Sequence, residues 1–324
     1  MDLNNLGFGG APLGGLLDPV DDTAASQTLQ AALNAGIQYF DTAPFYGFGL
    51  SERRIGDAVR GSDGVKLSTK VGRVLQPGLA ENAVELGWPN SLPFHPVFDY
   101  GYDGIMRSFE DSLQRLGLDR IDILYLHDIG AFTHSDPSEE ARHFKDAMTG
   151  GYRALDELRC SGTVSSIGIG VNETAVCLRV LEHGDWNIFL LAGRYTLLEQ
   201  EALNPLFCRC GERGIKVVIG GPFNSGILVG GTTWNYSEAS LPVRERVARL
   251  QAVCEAHFIP LPAAALQFPI AHPVVEWVIP GVRQPEELRQ ILAWSEIEVP
   301  AGLWADLKSE GLLDPCAPTP DQGL

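Results

Sequence analysis

With 324 residues and 45 % hydrophobic side chains, the chain has material for one large barrel domain spanning residues 1–324. A formal net charge of −17 argues against a nucleic-acid partner and against an anionic membrane surface. No apolar run reaches membrane-spanning length, and Met1-Asp2-Leu3-Asn4-Asn5 lacks the basic start of a signal peptide, so a cytoplasmic location is expected.

Eight short apolar runs read as strands: residues 6–8, 37–40, 65–69, 123–126, 167–169, 188–191, 217–219 and 275–279. Helix-like stretches lie between them. Residues 22–35 carry apolar side chains at helical spacing and stop at Gly36. Residues 51–59 open on Ser51, read with Glu52 as a helix cap rather than as chemistry. In residues 104–116, Ile105, Phe109, Leu113 and Leu116 form one stripe that ends at Gly117. Stretches 150–158, 173–181, 201–213, 243–257 and 286–292 repeat the pattern.

Strand and helix alternate from end to end, which predicts an α/β fold, a (β/α)8 TIM barrel with long loops on its C-terminal face. The rival is an open, doubly wound sheet with GxGxxG after its first strand. Here Gly7-Phe8-Gly9-Gly10-Ala11 runs into Pro12 and further loop, so that fingerprint fails. Two insertions, 72–102 and 128–150, follow the third and fourth predicted strands, and the first is rich in aromatic residues suited to walling a substrate pocket. The C-terminal stretch 313–324 is left open between a disordered tail and a flap over the barrel mouth. The six scattered cysteines show no paired zinc spacing and are expected to be reduced thiols. The histidines form no HxxxH or HExxH pattern, so no metal is expected.

Four titratable residues follow strand-like runs. Asp41 ends the second, Tyr46 comes five residues later in a Pro- and Gly-marked loop, Lys70 ends the third and His127 the fourth. Strand ends of a barrel share one mouth, so these four make one site. A tyrosine near its free pKa of about 10 is a poor base at neutral pH. A lysine cation close by is expected to lower that pKa, with Asp41 fixing the lysine. A neutral histidine orients a carbonyl or hydroxyl. The set transfers protons without a metal, and redox chemistry would need a borrowed cofactor.

These residues resemble the aldo-keto reductase family. The likeness runs through Asp41-Thr42-Ala43-Pro44-Phe45-Tyr46-Gly47 with Ser51-Glu52, Ser68-Thr69-Lys70, and Leu126-His127. It continues in Ile167-Gly168-Ile169-Gly170, Tyr195-Thr196-Leu197-Leu198-Glu199, Gly221-Pro222-Phe223-Asn224-Ser225-Gly226-Ile227-Leu228 and Val278-Ile279-Pro280-Gly281-Val282-Arg283-Gln284-Pro285-Glu286-Glu287. The resemblance implies an eight-fold barrel that binds a nicotinamide dinucleotide without a Rossmann domain. It makes Tyr46 the general acid/base, Lys70 and Asp41 its tuning pair, and His127 the substrate-orienting group. It also implies cofactor contacts at Asn172, Gly221, Phe223, Ser225, Gly281, Arg283 and Glu287.

The pattern departs from the family's in places. Gly170-Val171-Asn172 leaves Asn172 alone to supply the amide usually found after the fifth strand, and Gly220 stands where a stacking aromatic is common. Gly281 and Glu287 occupy positions where NADP-dependent relatives commonly carry Lys and Arg. The resemblance therefore implies NAD, with Arg283 keeping NADP in play. Trp88-Pro89-Asn90-Ser91-Leu92-Pro93-Phe94, the stretch from Phe98-Asp99-Tyr100 to Arg107-Ser108, and Leu126-His127-Asp128 resemble the branch that oxidises cyclic hemiacetals, aldoses or pyridoxal, to lactones. On that likeness Trp88 stacks on the substrate, a sugar or pyridoxal-like molecule, and Asp128 accepts one of its hydroxyls. The alternatives are an NADPH-dependent carbonyl reductase and a cofactor-binding regulatory subunit. A monomer or homodimer is expected.

Overall fold

The computed structural model describes residues 1–320. Strands Gly7–Gly9, Tyr39–Asp41, Lys66–Val71, Ile123–His127, Ser166–Val171, Ile188–Ala192, Lys216–Gly220 and Val275–Ile279 lie side by side in chain order, each parallel to the next. Parallel bridges Leu6–Val278 and Gly9–Gly281 join last to first, with the Gly9 N–H donating to Pro280 O at 2.9 Å. The eight predicted runs are thus the eight staves of a closed barrel.

Side chains alternate across each strand, and the alternation decides what reaches the barrel interior. Tyr39, Ile123, Tyr125, Ile188, Leu190, Val218, Trp277 and Ile279 pack together inside. Phe40, Leu67, Val71, Leu124 and Leu126 take the opposite parity and pack in the larger core cluster. Asp41, Lys70 and His127 share parity with Tyr39, Ser68 and Tyr125, so all three point inward at the same barrel end.

The outer helices follow the sequence closely at Asp22–Asn34 and Tyr102–Leu116. The first is capped by Asp21, whose Oδ1 accepts the Ala24 N–H at 2.9 Å, and the second stops at Gly117 with φ +63°. Ser51 is a correction. The helix Leu50–Val59 has Gly49 at its N-cap, and Ser51 is no cap. Its hydroxyl accepts from Thr42 Oγ1 and donates to Gly10 O, each at 2.8 Å. Glu52 is fully buried and accepts from Thr69 Oγ1 at 2.8 Å and Arg115 Nε at 2.5 Å. Both residues rivet the helix to the barrel end that carries Asp41 and Lys70. The predicted helix 201–213 is broken: Asn204 leaves helical geometry, giving a turn Leu203–Phe207 and a short helix Cys208–Arg213.

The first insertion is an antiparallel hairpin, Arg73–Pro77 with Phe94–Phe98, and the second carries the helix Pro137–Asp146. A further small hairpin, Thr233–Trp234 with Ser237–Glu238, follows the seventh barrel strand. Leu313, Ala317 and Thr319 of the C-terminal stretch are buried, and Arg246 Nη2 donates to Leu312 O at 2.7 Å. The remainder of that stretch, residues 321–324, lies outside the described residues. All six cysteines are free thiols. Among the described residues, no helix is long and apolar enough to cross a membrane, and no cluster of three metal-ligating side chains occurs.

Candidate active site

Strand parity brings Asp41 and Lys70 into contact across neighbouring strands, Oδ2 to Nζ at 2.7 Å, with both side chains almost wholly buried. The ammonium also donates to Thr42 O at 2.8 Å. Asp41 Oδ1 accepts from Ser68 Oγ at 2.7 Å. Ser68 has one proton and spends it on that carboxylate, so Tyr39, 2.8 Å away, must donate to Ser68. Tyr125 in turn donates to Tyr39 at 3.2 Å. A directed chain of hydroxyls thus supports Asp41 from the barrel floor. Gly170 completes the nest: a Cβ there would stand 3.3 Å from Lys70 Cε, tighter than an easy contact.

Tyr46 arrives on the loop after the second strand. That loop is pinned where Gly47, with φ +61°, crosses Gly14 so closely that a Cβ would lie 2.3 Å from the Gly14 carbonyl oxygen. Lys70 Nζ stands 4.6 Å from the Tyr46 ring centroid, and the His127 ring meets it edge-on at 5.9 Å. Trp88 packs against Tyr46 at 5.7 Å and against Phe45 at 5.5 Å, which makes it a wall of the site.

Asp128, just past the fourth strand, adopts φ +54°. Its Oδ2 lies 3.4 Å from His127 Nε2 and 2.8 Å from Arg73 Nη2. The Tyr100 hydroxyl shares its proton between the His127 and Asp128 carbonyls, each at 2.9 Å, and fixes that unusual turn.

Electrostatics set the protonation states. Burial pushes the Asp41 carboxyl up and the Lys70 ammonium down, and each partner's charge opposes the shift in the other. Burial, with the Arg73 and Lys70 cations, pushes His127 well below the usual histidine range, so its imidazole is neutral. Tyr46 differs from the sequence-based expectation. Burial outweighs any help from nearby cations, the Asp41 carboxylate adds to it, and the phenol is held well above its ordinary pKa, with Arg73 opposing. Tyr46 therefore rests as a neutral phenol at neutral pH. With Tyr46 Oη as the acid/base, oxidation would draw on the phenolate fraction, so its rate is expected to rise with pH through the alkaline range, while reduction is expected to fall. Profiles of kcat/KM in both directions check this; a flat oxidation profile would assign the proton to another group.

Tyr46, Lys70 and His127 open into one cavity of about 860 Å3, also lined by Trp88, Asp128 and Asn172, with Asp41 behind Lys70. Gly221, Phe223, Ser225, Gly281, Arg283 and Glu287 do not line it; the first five sit on the segments after the seventh and eighth strands, and Glu287 in the first turn of the helix Pro285–Glu296. Phe223 packs edge-on against Trp294. Ser225 Oγ accepts the Tyr236 N–H at 3.2 Å. Glu287 Oε2 accepts the Arg283 N–H at 2.7 Å, and Arg283 Nη2 donates to Leu16 O at 3.1 Å. Sequence reasoning missed Ser68, Arg73 and Tyr236. Ser68 was findable, two residues before Lys70 and hence on its face. Arg73 and Tyr236 reach the cavity from hairpins and left no local signal.

The chain matches the aldo/keto reductase family over residues 5–310. It belongs to that family. This aldo/keto reductase is 44 % identical to a pyridoxal 4-dehydrogenase from Microbacterium luteolum, covering 95 % of this chain and 94 % of the relative. It is 37 % identical to a D-threo-aldose 1-dehydrogenase from Pseudomonas sp, covering 97 % and 95 %. The fold is shared with an aldo-keto reductase from Bacillus halodurans, with a TM-score of 0.71, 24 % identity, and 98 % and 94 % coverage.

As an aldo/keto reductase the protein is an oxidoreductase that works with a nicotinamide cofactor. Its residues fit such a group. Asn172 carries its carboxamide at the cavity wall. Gly221, at φ +56°, has open space where a side chain would stand, and Arg283 Nε is buried with no protein partner among the described residues.

Proposed function

We propose that this aldo/keto reductase is an NAD-dependent dehydrogenase that oxidises the anomeric carbon of a cyclic hemiacetal, such as an aldose, to a lactone. The observation that carries the reading is the Asp41–Lys70–Tyr46–His127 site opening on a cavity lined by both aromatic and charged groups. A nicotinamide held beside Asn172, Gly221 and Arg283 would supply the acceptor for the hydride that leaves the hemiacetal carbon. The Tyr46 phenolate oxygen takes the hydroxyl proton as the carbon–oxygen double bond forms, and leaves the step as the phenol. The neutral His127 imidazole steadies the oxygen that becomes the lactone carbonyl. Lys70, held by Asp41 and Thr42 O, faces the Tyr46 ring and stabilises the phenolate that accepts the proton.

The NAD preference rests on the eighth-strand loop. Gly281 offers no cation, and the Glu287 carboxylate, fixed on the Arg283 N–H, repels a 2′-phosphate. A second reading, oxidation of pyridoxal to its lactone, is favoured by the aromatic rings of Phe45, Trp88, Phe98 and Phe132 around the cavity and by the 44 % relative. Both substrates are hemiacetals and undergo one chemistry.

The test is steady-state absorbance at the reduced-nicotinamide band with NAD+ and NADP+ against L-fucose, D-arabinose, L-galactose and pyridoxal. Turnover with NAD+ on a sugar supports the first reading and on pyridoxal alone the second. Turnover with NADP+ only would overturn the cofactor preference. Tight cofactor binding without turnover in either direction would overturn the dehydrogenase and bring forward a regulatory subunit.

A further inference from the structure

Arg73 opens the first insertion and is 4 % exposed, yet it lines the catalytic cavity. Its guanidinium is sandwiched between the faces of Phe45, 4.2 Å away, and Phe98, 4.7 Å away. One amino nitrogen, Nη2, pairs with Asp128 Oδ2 at 2.8 Å. The other, Nη1, is buried with no hydrogen-bond partner among the described residues. A buried unsatisfied donor costs about 1–3 kcal/mol, more when charged. A guanidinium serving only to neutralise Asp128 would gain nothing from keeping such a donor unpartnered beside the cavity that the residue lines.

We propose that Arg73, with Asp128, is a specificity-determining residue that grips an oxygen substituent beside the reacting hemiacetal carbon. The proposal rests on the hemiacetal reading above and narrows its substrate class. Asp128 Oδ2 is 3.4 Å from His127 Nε2, so the Arg73–Asp128 pair sits directly beside the group that holds the reacting oxygen. A neighbouring oxygen on the same molecule would meet an acceptor in the Asp128 carboxylate and, once the guanidinium turns within its aromatic stack, a donor in Nη1. In an aldose that oxygen is the C2 hydroxyl. In pyridoxal it is the phenolic 3-hydroxyl, on the ring carbon next to the one that bears the hemiacetal. The aromatic sandwich holds the guanidinium flat and excludes water, which favours a planar donor over a flexible one.

The experiment compares substrates with and without that oxygen: L-fucose against 2-deoxy-L-fucose, and pyridoxal against 3-deoxypyridoxal. Wild-type, Arg73→Met and Arg73→Lys enzymes are assayed, with thermal melts and near-UV circular dichroism confirming the fold. Wild type is expected to prefer the oxygenated member by about 10- to 100-fold in kcat/KM, as a charged donor's hydrogen bond would give. Arg73→Met is expected to reduce that preference to within about three-fold by losing the oxygenated substrate while sparing the deoxy one. Arg73→Lys keeps the charge beside Asp128 but lacks the fork, and its preference is expected to stay low. Equal losses on both members, or a preference restored by lysine, would make Arg73 a counter-charge and overturn the proposal. Which pair shows the effect identifies the sugar C2 hydroxyl or the phenolic 3-hydroxyl as the ligand. Should wild type turn over neither parent, the hemiacetal reading falls by itself. Arg73 is then judged in reduction of glyceraldehyde against propanal with NADH, where the same loss of preference is expected and its absence overturns the role.

Discussion

Tyr46→Phe is expected to lower kcat/KM for oxidation by about 10²–10⁴-fold, about 3–5 kcal/mol of transition-state stabilisation, while leaving cofactor affinity and thermal stability near wild type. Phenylalanine keeps every contact of the ring: the indole of Trp88 at 5.7 Å, the edge of His127 at 5.9 Å and the Lys70 cation at 4.6 Å. Only the hydroxyl goes, and with it the proton acceptor. The accompanying pH signature separates this from a packing effect. Burial holds the Tyr46 phenol protonated at neutral pH, so the wild-type oxidation rate climbs with pH and the residual Tyr46→Phe rate should not. Stopped-flow and steady-state assays across the alkaline range check both statements. A Phe variant with near wild-type turnover would remove Tyr46 from the chemistry.

Lys70→Met is expected to lose both activity and about 3–5 kcal/mol of stability, because it strands the Asp41 carboxylate in a buried site. Ser68 would still donate to that carboxylate, but the charge would lack its partner at 2.7 Å. Pairing the change with Asp41→Asn removes the stranded charge. The double variant should recover most of the stability and none of the turnover, measured by urea denaturation beside the dehydrogenase assay. Recovery of both together would mean that the pair only holds the barrel closed. A Lys70→Met protein as stable as wild type would mean that water or another cation already compensates Asp41.

The strand ends were legible because a barrel strand shows its period in a few residues. Tyr39 and Asp41, Ser68 and Lys70, Tyr125 and His127 each share parity, and the parity that buries the first of each pair aims the second at the mouth. Ser51 misled because a serine near a helix start is the common signature of a cap, while here Gly49 is the N-cap and Ser51 bridges the helix to Gly10. The break at Asn204 and the hairpins of the insertions depend on packing that no short window contains.

By itself, then, the chain's order of residues determined the eight staves, their inward acids, bases and phenol, and the family to which they belong. Alternation along a strand and capping along a helix act between neighbours in sequence, so sequence carries them. The tertiary structure alone decided the rest. It set Arg73 beside Asp128 across 55 residues, raised the Tyr46 pKa by packing the phenol among Trp88, His127 and the Asp41 carboxylate, and ran the hydroxyl chain from Tyr125 to Asp41. These are effects of desolvation and of contacts between distant segments, and they exist only once the barrel has closed around them.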